Sequence, residues 1–421
     1  MSLRTSISDA ALESRALPVA GVSRNELRAQ IETLQARDAK WREGRVFGIY
    51  FPTRQDIEDV AAEAHSTFYR LSTHHPEVFP SLLRMEQDVV AMTAQLFGAN
   101  KAIGNVTSGG TESIILALRA ARNQARAERG ITVPEAIVPR TAYPAFAKAG
   151  DLLGVKVIRT AIDAEFKADL GSLRRAITSN TVLIAASVPT ITHGVVDPVA
   201  DMAALAKADG IHFHVDASLG GFQLPFSRKL GHAVAPFDFT VPGVTSLSAD
   251  LHKYAYAPMG ASVILYRNVD AHEHQQFTVS DWTGGSYRTP GVLGSRSGGS
   301  IAAAWAVMRY LGEDGYLDLT RTLRETTERF VDGIGRISGL QVIGRPQTSV
   351  LVYGSVTLDM RRVAEVMESK GWSGRPQADP PSVRLLLAPY HLQIADAYLA
   401  DLAAAVASLR KSGVSAHATA H

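Results

Sequence analysis

The sequence predicts an α/β fold: a large domain on a mostly parallel, two-sided sheet, then a small α+β domain at the C-terminus. Three observations predict it. From Glu135 onward, short apolar runs alternate with helical patterns, the signature of parallel strands joined by crossover helices. An aspartate, Asp216, stands at the end of one apolar run, in HVDASLGG, and ligands in such sheets gather at the carboxyl ends of strands. The loop GNVTSGGTES (Gly104 to Ser113) leads straight into an amphipathic stretch. Its glycines permit close backbone approach, and the free N–H groups of a helix start attract an anion.

In chain order, residues 1 to about 23 are polar and predict an arm. Leu27, Ile31 and Leu34 give Arg24 to Arg42 a helical spacing, and Asp56 to Tyr69 and Ser81 to Phe97 predict two more helices. The large domain's strands are expected at Ala136–Val138, Val155–Arg159, Val182–Val188, His212–Val215 and Ser262–Tyr266. Helices are expected at Glu112–Glu128, Tyr143–Leu153, Leu170–Ile177 and Val199–Asp209. Asp281 to Ser300 is glycine-rich and predicts a functional or interface loop. Ile301–Leu311 and Tyr316–Ile337 read as two helices. The small domain takes strands at Gln341–Ile343, Ser349–Gly354 and Val383–Ala388, and helices at Met360–Lys370 and Ile394–Arg410. The expected division is an N-terminal arm and helices (1–80), a large domain (81–312), a small domain (313–411) and a tail (412–421).

Composition excludes several classes. The chain has 421 residues, 46% of them hydrophobic, which is enough for a sizeable core. A formal charge of +2 lacks the excess a dedicated nucleic-acid binder carries. There is no cysteine, hence no disulfide, thiolate metal site or cysteine nucleophile. No apolar run is read as a membrane span, and the N-terminus lacks the basic-then-apolar order of a secretory signal. The expectation is a cytoplasmic protein with no nucleic-acid partner.

The chemistry converges on SLSADLHKYAYAPMG (Ser246 to Gly260). A lysine beside a histidine means little alone. With Asp216 and the Gly/Ser/Thr loop it completes the set that pyridoxal phosphate requires: an amine for the aldehyde, a carboxylate for the pyridine nitrogen and a cradle for the phosphate. Together, VTSGGTES, HGVVDP (His193 to Pro198), HVDASLGGF, GVTSLSADLHKYAYAP and GSRSGG resemble the fold type I enzymes of the group II decarboxylase superfamily, and within it the sphingosine-1-phosphate lyase family. The resemblance runs from about Trp41 to the end of the small domain.

The resemblance implies a seven-stranded sheet, pyridoxal 5'-phosphate as cofactor and no metal. Lys253 would form the Schiff base and Asp216 would pair with the pyridine nitrogen. Gly110 and Thr111 would hold the phosphate, with Ser248 and His252 adding donors. Ser297 and Gly298 would reach the phosphate of a second copy, which implies a homodimer with shared sites. Tyr143 takes the place of a stacking histidine. His214 reads either as a cofactor neighbour or as a satisfied strand-end histidine. Tyr50 and His75 match positions that approach the polar end of the substrate. The implied reaction is retro-aldol cleavage of a carbon–carbon bond in a β-hydroxy amine or β-hydroxy amino acid. An amino-acid α-decarboxylase is the alternative, and an aminotransferase ranks lower.

Several residues depart from the lyase pattern. Met259 stands where the family has a lysine in the clamp on the substrate phosphate. Ile191 replaces an aromatic residue, and Arg384 replaces a histidine. Arg288 replaces a small residue. An arginine fork suits a planar carboxylate, so Arg384 and Arg288 are candidate anion binders, against the plain alternative of surface ion pairs. These departures point to a small amine or amino-acid substrate that differs from a sphingoid-base phosphate.

Overall fold

The computed structural model describes residues 17–411, apart from 18, 49, 50, 52, 100 and 102. Tyr50, most of the expected arm and the expected tail 412–421 lie outside the described residues.

Seven strands form the large sheet: β1 (Ile103–Thr107), β2 (Glu135–Pro139), β3 (Lys156–Thr160), β4 (Thr181–Ser187), β5 (His212–Asp216), β6 (Ser246–Asp250) and β7 (Ser262–Tyr266). Their order is β1-β7-β6-β5-β4-β2-β3. Neighbours from β6 through β3 pair in parallel, and β7 runs antiparallel to both β1 and β6. The sheet is therefore mostly parallel, with one reversed strand. Every residue of β2, β4, β5, β6 and β7 is buried, as a sheet covered on both faces demands. One covering layer includes helices Gly110–Arg129 and Ala145–Leu153, which pack Ile114, Leu118 and Phe146 against Val138 and Leu183. Met202 and Ala203 of helix Val199–Ala208 join Phe213 and Leu247 in the larger core.

The sequence misses β1 and β6. β6 reads SLSAD, and its serines and aspartate break the apolar pattern. They are tolerated because β5 pairs beside them in register, His214 opposite Ser246 and Asp216 opposite Ser248. Ser246 Oγ lies 2.8 Å from both His212 Nε2 and His214 Nδ1. A polar ladder thus runs through the middle of the sheet, each member satisfying the next.

The Asp281–Ser300 segment is not wholly loop. It contributes to a hairpin of β8 (Phe277–Trp282) and β9 (Gly285–Thr289). The two helices expected after it form one run, Gly299–Gly335, broken at Gly312, whose φ of 55° and ψ of −171° are not helical. The small domain carries a four-stranded antiparallel sheet ordered β10-β11-β13-β12, from β10 (Gln341–Val342), β11 (Val350–Gly354), β12 (Arg375–Ala378) and β13 (Pro381–Leu386).

Among the described residues one helix, Pro389–Lys411 at mean hydropathy 1.3, is long and apolar enough to cross a membrane by length and composition alone. Its apolar residues have another use. Tyr398, Leu402, Ala405 and Val406 are buried in the core, and Tyr398 Oη meets Tyr353 Oη of β11 at 2.8 Å.

Candidate active site

A cavity of about 280 Å³ opens at the carboxyl ends of β4, β5 and β6. Ser108, Gly109, Gly110, Thr111 and Glu112 form one wall, and Asp216, Asp250, His252 and Lys253 another, with Tyr143 and Ile191 also lining it. Sequence motifs separated by more than a hundred residues therefore meet.

The wall at 108–112 is the start of helix Gly110–Arg129. Gly109 has φ 152° and ψ 169°, a conformation essentially reserved for glycine. Gly110 is required for another reason: a Cβ there would stand 2.8 Å from Asp250 Oδ1 and 3.0 Å from Ser218 Oγ. The first-turn amides of a helix have no intrahelical acceptor, so this glycine wall presents N–H groups to an anion. Glu112, which lies within GNVTSGGTES but is not singled out by it, braces it. Its carboxylate accepts from Ser108 N at 2.6 Å and from Val292 N at 2.8 Å.

Asp216 ends β5 and is 7% exposed. Its Oδ1 accepts from both the backbone N–H (3.1 Å) and the hydroxyl (2.5 Å) of Ser218. Burial raises its pKa, against the opposing pull of Ser218 and the Lys253 charge. Lys253 lies in the turn between β6 and β7, and its Nζ is 2.8 Å from Asp250 Oδ2. Burial pulls the lysine pKa down, but Asp250 and Asp216 outweigh it and hold the ammonium above its ordinary range. For Asp250 burial works upward, and Lys253 and His252 overcome it, so the carboxyl sits below the usual range. His252 Nε2 is 3.5 Å from Asp250 Oδ2, and its buried Nδ1 has no hydrogen-bond partner.

His214 and Ser248 do not line this cavity. His214 lies wholly buried beneath it in the β5–β6 ladder, Nε2 3.2 Å from Ser248 Oγ. Burial pushes its pKa down to about 3, so the ring is neutral there. Ser297 and Gly298 are also away from it. Ser297 Oγ donates to Tyr69 O at 2.8 Å, and the Gly298 N–H to Leu71 O at 2.7 Å. His75 is exposed, with Nδ1 3.2 Å from Glu77 Oε1. Arg288, on β9, pairs with Glu273 through both carboxylate oxygens, at 2.8 and 2.7 Å.

Arg384 differs. It sits on β13, where its guanidinium makes one hydrogen bond among the described residues, a long one of 3.4 Å to Ile191 O, and its buried Nε has no partner. Burial and then Arg375 lower its pKa, while Tyr143 raises it. Arg384 thus lies close to two lining residues of the cavity. No ion pair is recorded for it among the described residues.

A second cavity, about 460 Å³, shares Lys253 and His252 with the first. Phe51, Ala61, Ala62, Tyr256, Ala257 and Met259 dominate it, with Glu58 and His65 as its other ionisable lining residues. Lys253 therefore stands where a polar and a largely apolar cavity meet.

The donor set fits pyridoxal phosphate. It offers an amine at the cavity floor, a buried carboxylate at a strand end and a helix start kept clear by Gly110. No cluster of histidine, aspartate or glutamate suited to a metal occurs among the described residues.

Comparison with known proteins agrees. Residues 32–353 match the pyridoxal-dependent decarboxylase conserved domain. The chain is 40% identical over 407 residues to a sphingosine-1-phosphate lyase of Arabidopsis thaliana, covering 94% of this chain and 74% of that one. It is 38% identical over 402 residues to sphingosine-1-phosphate lyase 1 of Rattus norvegicus, covering 94% and 71%. A solved sphingosine-1-phosphate lyase of Burkholderia pseudomallei superposes with a TM-score of 0.92 at 35% identity, covering 96% and 95% of the two chains. The chain is a pyridoxal phosphate-dependent lyase and belongs to the sphingosine-1-phosphate lyase family, within the pyridoxal-dependent decarboxylases.

Proposed function

We propose that this lyase cleaves the carbon–carbon bond between the amine-bearing and hydroxyl-bearing carbons of a small β-hydroxy amine or β-hydroxy amino acid, in preference to a sphingoid-base phosphate. The bound cofactor would supply an electron sink for the pair released when that bond breaks. Lys253 would hold its aldehyde, Asp216 would face the pyridine nitrogen, and the Gly110 and Thr111 amides would take the phosphate. A pyridinium beside Asp216 would return the charge partner that burial denies this carboxylate. Tyr143 would cover the ring, and His252 would close the floor. His214 and Ser248 would act from beneath, by fixing β5 against β6.

The observation that carries this reading is the position of Lys253 at the meeting of the two cavities. One holds the polar groups a cofactor needs, and the other has room for a substrate beside the same amine. Met259 supports the altered substrate, since it puts a thioether at the rim where a phosphate clamp needs charge. Arg384 supports a carboxylate on that substrate, as a partly desolvated guanidinium with no ion pair recorded among the described residues. The same arginine favours the second reading, α-decarboxylation of an amino acid. We also propose a cytoplasmic homodimer, in which Ser297, Gly298, His75 and Tyr50 serve the partner's site.

Incubation of the holoenzyme with β-hydroxy-α-amino acids, simple amino acids and a phosphorylated amino alcohol distinguishes these readings. The expected product is an aldehyde from the first class. Carbon dioxide from the second class alone would favour decarboxylation. Aldehyde from the phosphorylated amine alone would overturn the altered substrate. Met259→Lys is expected to improve turnover of that phosphorylated amine several-fold, since one added charge near a phosphate contributes on the order of 1 kcal/mol. Mixing inactive Lys253→Ala and Ser297→Tyr copies tests the shared site. Recovery of activity in the mixture supports it, and no recovery counts against it.

A further inference from the structure

We propose that Asp250 is the positioning residue for Lys253 before the cofactor is bound, acting as the counter-ion that holds its ammonium. This rests on reading Lys253 as the cofactor lysine.

Two buried carboxylates flank the amine, and they are not equivalent. Asp216 already accepts two hydrogen bonds from Ser218. The Asp250 side chain is 3% exposed, its Oδ2 meets the lysine at 2.8 Å, and its Oδ1 has no partner. Its charge therefore depends on Lys253 in a way that the charge of Asp216 does not. A buried carboxylate left without a partner is costly, so the pair holds the ammonium at the cavity floor. The backbone enforces the geometry. Leu251 N and His252 N both donate to Ala261 O at 3.1 Å, and Ala257 N donates to Leu251 O at 3.0 Å. The groups acting on the lysine charge are Asp250, Asp216 and Tyr143, with His252 beside Asp250.

An ammonium cannot attack an aldehyde. Loading requires Nζ to release a proton to solvent, which leaves a neutral amine beside the Asp250 carboxylate. The neutral amine would then bond to the cofactor's aldehyde carbon, and the aldehyde oxygen would leave as water with the two amine protons. Because the ion pair must first be dissolved, cofactor capture should rise with pH until the lysine is neutral.

The test uses the full chain stripped of cofactor. Competitive acetylation of Lys253 across pH, read by peptide mass spectrometry against the exposed Lys148, reports the ion pair without any cofactor. Lys253 is expected to need a higher pH than Lys148 in the wild type, and a lower one in Asp250→Asn. A wild-type Lys253 that labels at or below the pH of Lys148 overturns the proposal, even if the variant does not fold. Capture of pyridoxal phosphate is then timed at each pH. Asp250→Asn should capture about tenfold faster at about pH 7, the effect of a one-unit fall in lysine pKa. An unchanged pH dependence sinks the role of Asp250. No capture by the wild type sinks the reading of Lys253 instead, and the acetylation result still judges the pair.

Discussion

The two cavities that meet at Lys253 are built from opposite materials. One is walled by helix amides, three buried carboxylates and a histidine; the other by Phe51, three alanines, Tyr256 and Met259. The first is over-determined: Gly110 leaves no room for a methyl group, and Ser218 and Asp250 crowd around it. The second depends on shape and apolar contact, where volume-conserving changes cost little. A cofactor demands fixed groups at fixed places, whereas a substrate site can be rewritten one side chain at a time. Of the positions that the sequence reading sets apart from the lyase pattern, Met259 lines the second cavity, where such a change costs little, whereas Ile191 lines the first.

The sharpest way to break the comparison is at the junction itself. Lys253→Ala should abolish the visible band of the loaded enzyme, at about 420 nm, and lower turnover by roughly a thousandfold or more. The fold should survive, because Lys253 is a partly exposed residue in a turn held by backbone bonds to Ala261. A variant that keeps the band would show that another amine holds the cofactor.

Next in size is Gly110→Ala. The added Cβ at 2.8 Å from Asp250 Oδ1 forces the helix start or the carboxylate to move. Overpacking of this kind costs about 1–3 kcal/mol, so cofactor affinity should fall by roughly ten- to a hundredfold. Equilibrium titration of the stripped protein measures it. Gly130→Ala, at the far end of the same helix, is strained by a φ of 67° and should lower stability, but with open space around its Cβ position it should leave that affinity intact.

How legible this was in the sequence follows from the same contrast. The chemistry of the first cavity has strict residue requirements, so Lys253, Asp216 and the loop before Gly110 stood out as motifs. Apolar strands such as SVILY were equally visible. β6 was not, because its polar face is satisfied by histidines of β5 that are distant in sequence. Asp250 was hidden by the same fact: in SLSADLHK it looks like one more turn residue, and only folding brings its carboxylate against Lys253 and Gly110. Glu112 reads as an ordinary first-turn acid until Val292 arrives to donate to it. The two arginines were indistinguishable as letters. Their difference is one of partners: Glu273 lies beside Arg288, and no carboxylate is recorded beside Arg384 among the described residues.

That difference gives the next prediction. Arg384→Ala should raise KM for a carboxylate-bearing substrate by about tenfold or more, since a hydrogen bond to a charged group contributes about 1.5–3 kcal/mol. KM for an amine without a carboxylate should stay near the wild-type value, and the visible band should be unchanged. Equal losses on both substrates would mean that Arg384 only supports the Ile191 backbone.

The smallest effect is expected at Arg288. Its guanidinium and the Glu273 carboxylate are about half exposed, at 52% and 50%, so water and salt already screen the pair. To bind a substrate anion, the arginine would first have to surrender both carboxylate contacts, at 2.8 and 2.7 Å, for one new partner of the same charge. The exchange gains little, because an exposed pair contributes only about 0.2–1 kcal/mol in either arrangement. Arg288→Ala should therefore leave KM for every substrate class within about twofold. A rise in KM matching that of Arg384→Ala, additive in the double variant, would show instead that the β8–β9 hairpin releases Glu273 and carries its arginine to the substrate.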